Sequence, residues 1–144
     1  MRVFIAGIMQ GSRLDRYIGD QDYRLIITRA IQDRYADVEI VDPNELHPDG
    51  VNYGDRQAKA TLLELADLAA QADLIVAYVP KASMGTAMEM WQGFRAGAPI
   101  VTISPMAANW VVKHLSDVVL ADLSSFCSWV GDGGLEELDG LAPG

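Results

Sequence analysis

The chain has 144 residues, half of them hydrophobic and 22% charged, with a formal net charge of −9; this is the composition of one globular domain able to bury a core. The acidic balance argues against a nucleic-acid backbone or an anionic membrane as the main partner, while leaving room for a small phosphorylated ligand held by a few local donors. The single Cys127 excludes an internal disulfide framework and, with no run near the ~20 apolar residues of a membrane span and no signal-peptide pattern in "MRVFIAGIM", predicts a cytoplasmic protein.

"RVFIA" (2–6) is a short apolar run closed by Gly7, which predicts a buried strand. "DQDYRLIITRAIQDRY" carries apolar residues at 23, 26, 27, 30 and 31, the spacing of an amphipathic helix, with Asp20 or Asp22 to cap it. "VEIVDP" predicts a second strand ended by Pro43, and "NELHPDGVNYGD" a loop. "RQAKATLLELADLAAQA" predicts a helix with Leu62, Leu65, Leu68, Ala69 and Ala72 on one face. "DLIVAYV" (73–79) is continuously apolar, as in a strand covered on both sides.

"MGTAMEMWQGFRAG" predicts a helix ending at Gly97, followed by a strand in "PIVTIS", a short helix in "AANWVVKHL" and a fifth strand in "DVVLA". The Gly-rich acidic tail from about residue 131 is expected to pack loosely or fray. Alternating strands and helices predict a single doubly wound (Rossmann- or flavodoxin-like) α/β domain over 1–144, with about five mostly parallel strands and helices on both faces. In such sheets ligands sit beyond the carboxyl ends of the strands, near the switch in strand order. That directs attention to "GIMQGSR", "PKASMGT" and "SPMAANW".

In "GIMQGSR", Gly7 and Gly11 allow close backbone approach, and Ser12 and Arg13 are suited to an anion. Three residues between the glycines and no following Lys exclude a P-loop. In "SMGTAMEM", Ser83 is a good helix cap and Gly85 bares amides at the helix start. Glu89 lies one turn beyond Gly85 on the same face, and the small residues Gly85 and Gly93 leave space beside it. A Glu near a helix N-terminus is also favourable through the dipole alone, by roughly 0.3–1 kcal/mol. His47 and His114 are isolated in sequence and lack zinc-ligand spacing to Cys127, which reads as a packing residue. Trp91 sits at core spacing, and Trp110 falls in the loop after the fourth strand.

The strand-then-"AG" opening, with "DLIVAYV" followed by "SMGTAME", resembles the nucleoside 2-deoxyribosyltransferase family over roughly residues 2–115. The resemblance implies that Glu89 attacks C1′ of a sugar to form a covalent glycosyl-enzyme, with no metal or organic cofactor. Ser83 stands where nucleoside-specific members tend to carry Asp, as it does in the relatives that hydrolyse nucleoside 5′-monophosphates, and "GSR" is similar to their phosphate-handling loop. The resemblance thus implies a substrate site of Gly7, Ile8, Gly11, Ser12, Arg13, Ser83 and Gly85. It also implies a homodimer or higher homo-oligomer in which a neighbour contributes Asn109 or, less well placed, Ser104. The chain departs from the family pattern at Leu65, where an Asp usually orients sugar and nucleophile; Glu64 is adjacent but about 100° away on a helix.

Overall fold

In the computed structural model, which describes residues 1–9 and 20–141, the five apolar runs form five strands: β1 (Arg2–Gly7), β2 (Glu39–Val41), β3 (Leu74–Tyr78), β4 (Ile100–Ile103) and β5 (Val118–Leu120). All pairings are parallel, in the order β2-β1-β3-β4-β5. This is the doubly wound arrangement expected from the alternating pattern, with its reversal at β1 and β3. Successive β1 side chains enter opposite cores: Val3 and Ile5 one, Phe4 and Ala6 the other, all with no exposed surface. A strand buried on both sides has no polar face to alternate, hence the unbroken apolar sequence.

Helices α1 (Asp22–Arg34) and α6 (Leu123–Gly131) cover the first face through Tyr23, Ile27, Ile31, Phe126 and Val130. Helices α3 (Asp55–Ala70), α4 (Met84–Arg95) and α5 (Trp110–Leu115) cover the second through Ala69, Met90 and Val112. Each fully buried Ile, Leu or Phe contributes roughly 1.5–3 kcal/mol. Close approach of α4 to the sheet depends on Gly93: a Cβ there would lie 2.5 Å from Cγ1 of Ile75. Gly97 ends this helix at φ +86°, the left-handed conformation expected of it.

Four expectations need correction. The segment after β2 is not all loop. Asp42 accepts a hydrogen bond from the Asn44 amide at 2.9 Å and, with Pro43 in the first turn, starts the short helix α2 (Pro43–Leu46); a 3₁₀ turn follows at Gly50–Asn52. The segment before the tail, for which the pattern announces no element, is helix α6: Asp122 caps it by accepting from the Ser125 amide at 2.8 Å, and Phe126 and Val130 anchor it. The tail is tied down rather than frayed through Leu141, by buried Leu135 and by Arg34, which donates to Glu136 at 2.8 and 3.0 Å. On α3 the buried residues are Ala66 and Ala69, whereas Leu62 is half-exposed and Leu65 and Leu68 are only partly buried. Among the described residues no helix is long and apolar enough to cross a membrane.

Candidate active site

Helix α4 starts where β3 ends, at the carboxyl edge of the sheet. Ser83 caps it, its Oγ accepting from the Thr86 amide at 3.4 Å and from the Thr86 hydroxyl at 2.9 Å. Gly85 is exposed, with nothing within 4 Å of where a Cβ would be. One turn further, Glu89 turns inward. The residue is half-buried, but its Oε2 is sealed from solvent and has no hydrogen-bond partner among the described residues. Burial pushes the carboxyl pKa up to about 8, and the nearby Arg24 guanidinium only partly opposes this. A surface glutamate serving the helix dipole would be hydrated, so the dipole alone does not account for this side chain.

The surroundings of Glu89 are built by α1 and the end of β1. Arg24 is 3% exposed. It donates to the carbonyls of Ile5 at 3.0 Å and Gly7 at 3.3 Å, to Oδ1 of Asp42 at 3.1 Å, and to Oε1 of Gln21 at 2.7 Å. One buried cation therefore pins β1 to β2 at the edge where the chain leaves the sheet. Beside it, the Tyr23 hydroxyl donates to the Ile8 carbonyl at 3.1 Å, and its ring lies 4.4 Å from that of Tyr78. Burial raises the Tyr23 phenol well above its ordinary value.

The sequence-predicted residues separate into three groups. Glu89, Gly7 and Ile8 share the β1–α4 edge, but the opening expected at Gly7 is filled by the Tyr23 ring, against which any Cβ would clash. Ile8 is buried, and its carbonyl is occupied by Tyr23 and by Nε2 of Gln21 at 3.0 Å. The space foreseen at Gly93 is likewise taken, by Ile75. Ser83 and Asn109 form a second group, lining an apolar cavity of about 330 Å³ between α4 and α5 with Met90, Met106 and Val112; Glu89 is not on its wall. Asn109 caps α5, its Oδ1 accepting from the amides of Val111 and Val112 at 3.0 and 3.3 Å. Ser104 is buried and braces the Met106 amide at 3.0 Å, which removes it as a group reaching a neighbour. Gly11, Ser12 and Arg13 lie outside the described residues.

A larger cavity, about 700 Å³, opens between the ends of β1 and β2 and helix α3, lined by Met9, Pro43, His47, Tyr53, Lys59 and Leu65 among others. His47 is not isolated. Its Nδ1 is 2.9 Å from the Tyr53 hydroxyl and its Nε2 is 3.3 Å from Oε2 of Glu64. No sequence spacing signals this group, which a turn and a helix bring together. Trp91, expected in the core, is half-exposed and stacked on Phe94 at 5.9 Å, and Trp110 opens α5 with 81% of its surface exposed. Cys127 is half-buried against the α1–α6 core, as expected of a packing residue.

No protein-family model matches the chain, and no curated protein matches it significantly. Solved structures do. A 2-deoxyribosyltransferase from the psychrotolerant bacterium Bacillus psychrosaccharolyticus superposes with a TM-score of 0.65 at 14% identity, covering 88% of this chain and 90% of that one. A conserved protein from Enterococcus faecalis V583 gives 0.65 at 16%, covering 92% and 98%. The CMP N-glycosidase BcmB of Clostridium botulinum gives 0.53 at 17%, covering 91% and 98%. At these identities the likeness establishes a shared fold across nearly the whole chain.

Proposed function

We propose that this protein cleaves or transfers at the N-glycosidic bond of a nucleoside or nucleoside 5′-monophosphate, with Glu89 as the nucleophile. The observation that carries this reading is the Glu89 carboxylate itself: inward-facing, unpartnered at Oε2 among the described residues, and one turn into a capped helix at the switch in strand order. The fold shared with a deoxyribosyltransferase and a CMP N-glycosidase supports it.

Glu89, having first given up its proton to solvent, attacks C1′ as the carboxylate, the C1′–N bond breaks with its electron pair leaving on the base, and a glycosyl ester forms. Water or a second base then attacks C1′ and frees the carboxylate, giving net retention. The helix-start amides near Gly85, with Arg13 and Ser12, receive the 5′ end; the Ser83 hydroxyl is committed to its cap and contributes mainly by shaping that turn. No metal or organic cofactor enters this scheme. The protein acts as a homodimer or higher homo-oligomer, a reading supported by the exposed apolar side chains Met84, Met88, Trp91 and Phe94 on α4 and Trp110 on α5. Asn109, beside this surface, is the residue a neighbour would offer.

A second reading, a nucleotide-binding module without catalysis, is favoured by one feature: Leu65 supplies no carboxylate where the deoxyribosyltransferases usually have one. Incubation with a panel of nucleosides and 5′-monophosphates, followed by chromatography for free base, separates the two. Catalysis predicts base release by wild type and a loss of at least ~10³-fold in folded Glu89→Ala, given that a nucleophile is part of the reacting unit. Near-normal turnover by Glu89→Ala would refute the assignment.

A further inference from the structure

The large cavity beside Leu65 does not include Glu89 on its wall, but two of its lining residues directly follow segments that Arg24 holds beside Glu89. Met9 continues the β1 exit whose Gly7 carbonyl Arg24 holds, and Pro43 follows Asp42, the ion-pair partner of Arg24. Leu65 contributes an apolar wall from α3, the helix packed along α4. A nucleoside or nucleotide with its C1′ facing Glu89 would direct its base away from α4, and a cavity of about 700 Å³ is large enough to take one. Its polar equipment is unusual. His47 closes α2 by donating its amide to the Pro43 carbonyl at 3.0 Å, and its ring meets Tyr53 edge to face at 5.7 Å. Tyr53 is fixed in turn by its amide N–H, which donates to the Gly50 carbonyl at 3.1 Å. Nδ1 of His47 contacts the Tyr53 hydroxyl, while buried Nε2 lies at ion-pair distance from Glu64 without hydrogen-bond alignment. Asp55, Lys59 and Thr61 are the other polar residues on the wall.

We propose that Glu64, His47 and Tyr53 form a proton relay to the leaving base, replacing a carboxylate absent at Leu65; this rests on the N-glycosidic reading above. In this relay His47 starts protonated, with the Glu64 carboxylate 3.3 Å from its Nε2. As Glu89 oxygen bonds to C1′ and the C1′–N bond breaks, its electron pair goes to the base, which takes the Tyr53 hydroxyl proton. The phenol oxygen is reprotonated from Nδ1, leaving neutral His47. In the second half-reaction water attacks C1′, Glu89 leaves as carboxylate, and the proton that water loses restores the imidazolium. Every bond and proton is then accounted for by groups of the protein, substrate and water. Tyr53 is the donor at the substrate, and His47 and Glu64 act through it as positioning residues.

The test is the rate of base release in a single turnover, with KM measured alongside, for wild type, Tyr53→Phe, His47→Gln and the double variant, each checked for folding by circular dichroism. Glu64→Gln, on the exposed side of the group, serves as a milder variant should His47→Gln not fold. Loss of a general acid predicts a rate drop of ~10²-fold for Tyr53→Phe and for His47→Gln with KM within about threefold. Because the two act as one chain, the double variant should be no slower than Tyr53→Phe alone. Unchanged rates, a loss confined to KM, or losses that multiply in the double variant would overturn the relay while leaving Glu89 chemistry standing. A wild type that releases no base from any nucleoside or 5′-monophosphate would instead overturn the N-glycosidic reading, and the relay with it.

Discussion

Replacing Glu89 by glutamine should change how stability depends on pH, whatever the reaction. A carboxyl whose pKa moves from 4.5 to about 8 on folding keeps its proton in the native state after the unfolded chain has lost it. Between those values the native state binds more protons, so stability falls as pH rises. At about 1.4 kcal/mol per pH unit within that window, wild type should lose roughly 4 kcal/mol between pH ~5 and pH ~8.5 on account of Glu89. Glutamine carries no charge and so removes the slope. Its amide still brings donors to a place where Oε2 finds no partner, a cost of about 1–3 kcal/mol at every pH. The variant should therefore be no more stable than wild type near pH ~5 and more stable by about 1–3 kcal/mol near pH ~8.5. Thermal melts of both proteins across this range would show it. At a few degrees per kcal/mol for a chain this size, the difference in Tm should grow by on the order of 10 °C from the acid to the alkaline end. Parallel curves would refute the argument, since they would mean that Glu89 is hydrated in the native protein.

Three further outcomes are expected. Trp110→Glu or Met84→Asp should lower the oligomeric state in light scattering while leaving the circular dichroism spectrum unchanged, because both side chains are more than four-fifths exposed in the single chain; an active monomeric wild type would refute the assembly. Gly93→Ala should destabilise by about 1–3 kcal/mol in urea, since its methyl meets Ile75 and α4 must move off the sheet. A 5′-monophosphate should exceed its parent nucleoside in kcat/KM, and Arg13→Ala should narrow that gap by removing a charge-assisted contact worth ~1.5–3 kcal/mol; equal values on wild type would sink phosphate recognition.

The strands were legible because burial on two faces leaves a continuous apolar signature, as in "DLIVAYV", and the limits of α4 were legible because Ser83 and Gly97 each do something few residues do well. Glycine was legible only halfway. Gly7 and Gly93 do mark close approach, but sequence did not say that Tyr23 and Ile75, rather than a ligand, would be what approaches. Helix α6 was hidden by Ser, Cys and Gly, residues of weak helix propensity, and is held by Phe126 and Val130 packing near α1. Trp91 has core spacing, yet among the described residues no further layer covers the outer side of α4, and it is half-exposed. The arrangement of His47, Tyr53 and Glu64 was invisible for a simpler reason: their contacts are tertiary, across segments that carry no mutual periodicity.

Arg24 was equally unreadable, and it bears most directly on how the site would work. It is the buried cation of the described region, and Asp42, itself buried, already takes its Nη1 hydrogen bond. Such pairs do little for net stability, but breaking one strands the other charge, so Asp42 cannot be released to leave Arg24 free for Glu89. Glu89 is thus the second carboxylate near one cation, and burial pushes its pKa up to about 8. On the proposed reading this is the useful arrangement. A transition state at C1′ develops oxocarbenium-like positive charge next to the carboxylate, in surroundings too dry to screen it. The charge that is unfavourable without substrate becomes favourable only as the glycosidic bond breaks, which is when stabilisation accelerates the reaction. Full neutralisation by a second arginine would ionise Glu89 at rest and blunt its attraction to C1′. The single shared cation therefore fits a nucleophile better than it fits a residue that merely orients a bound ribose.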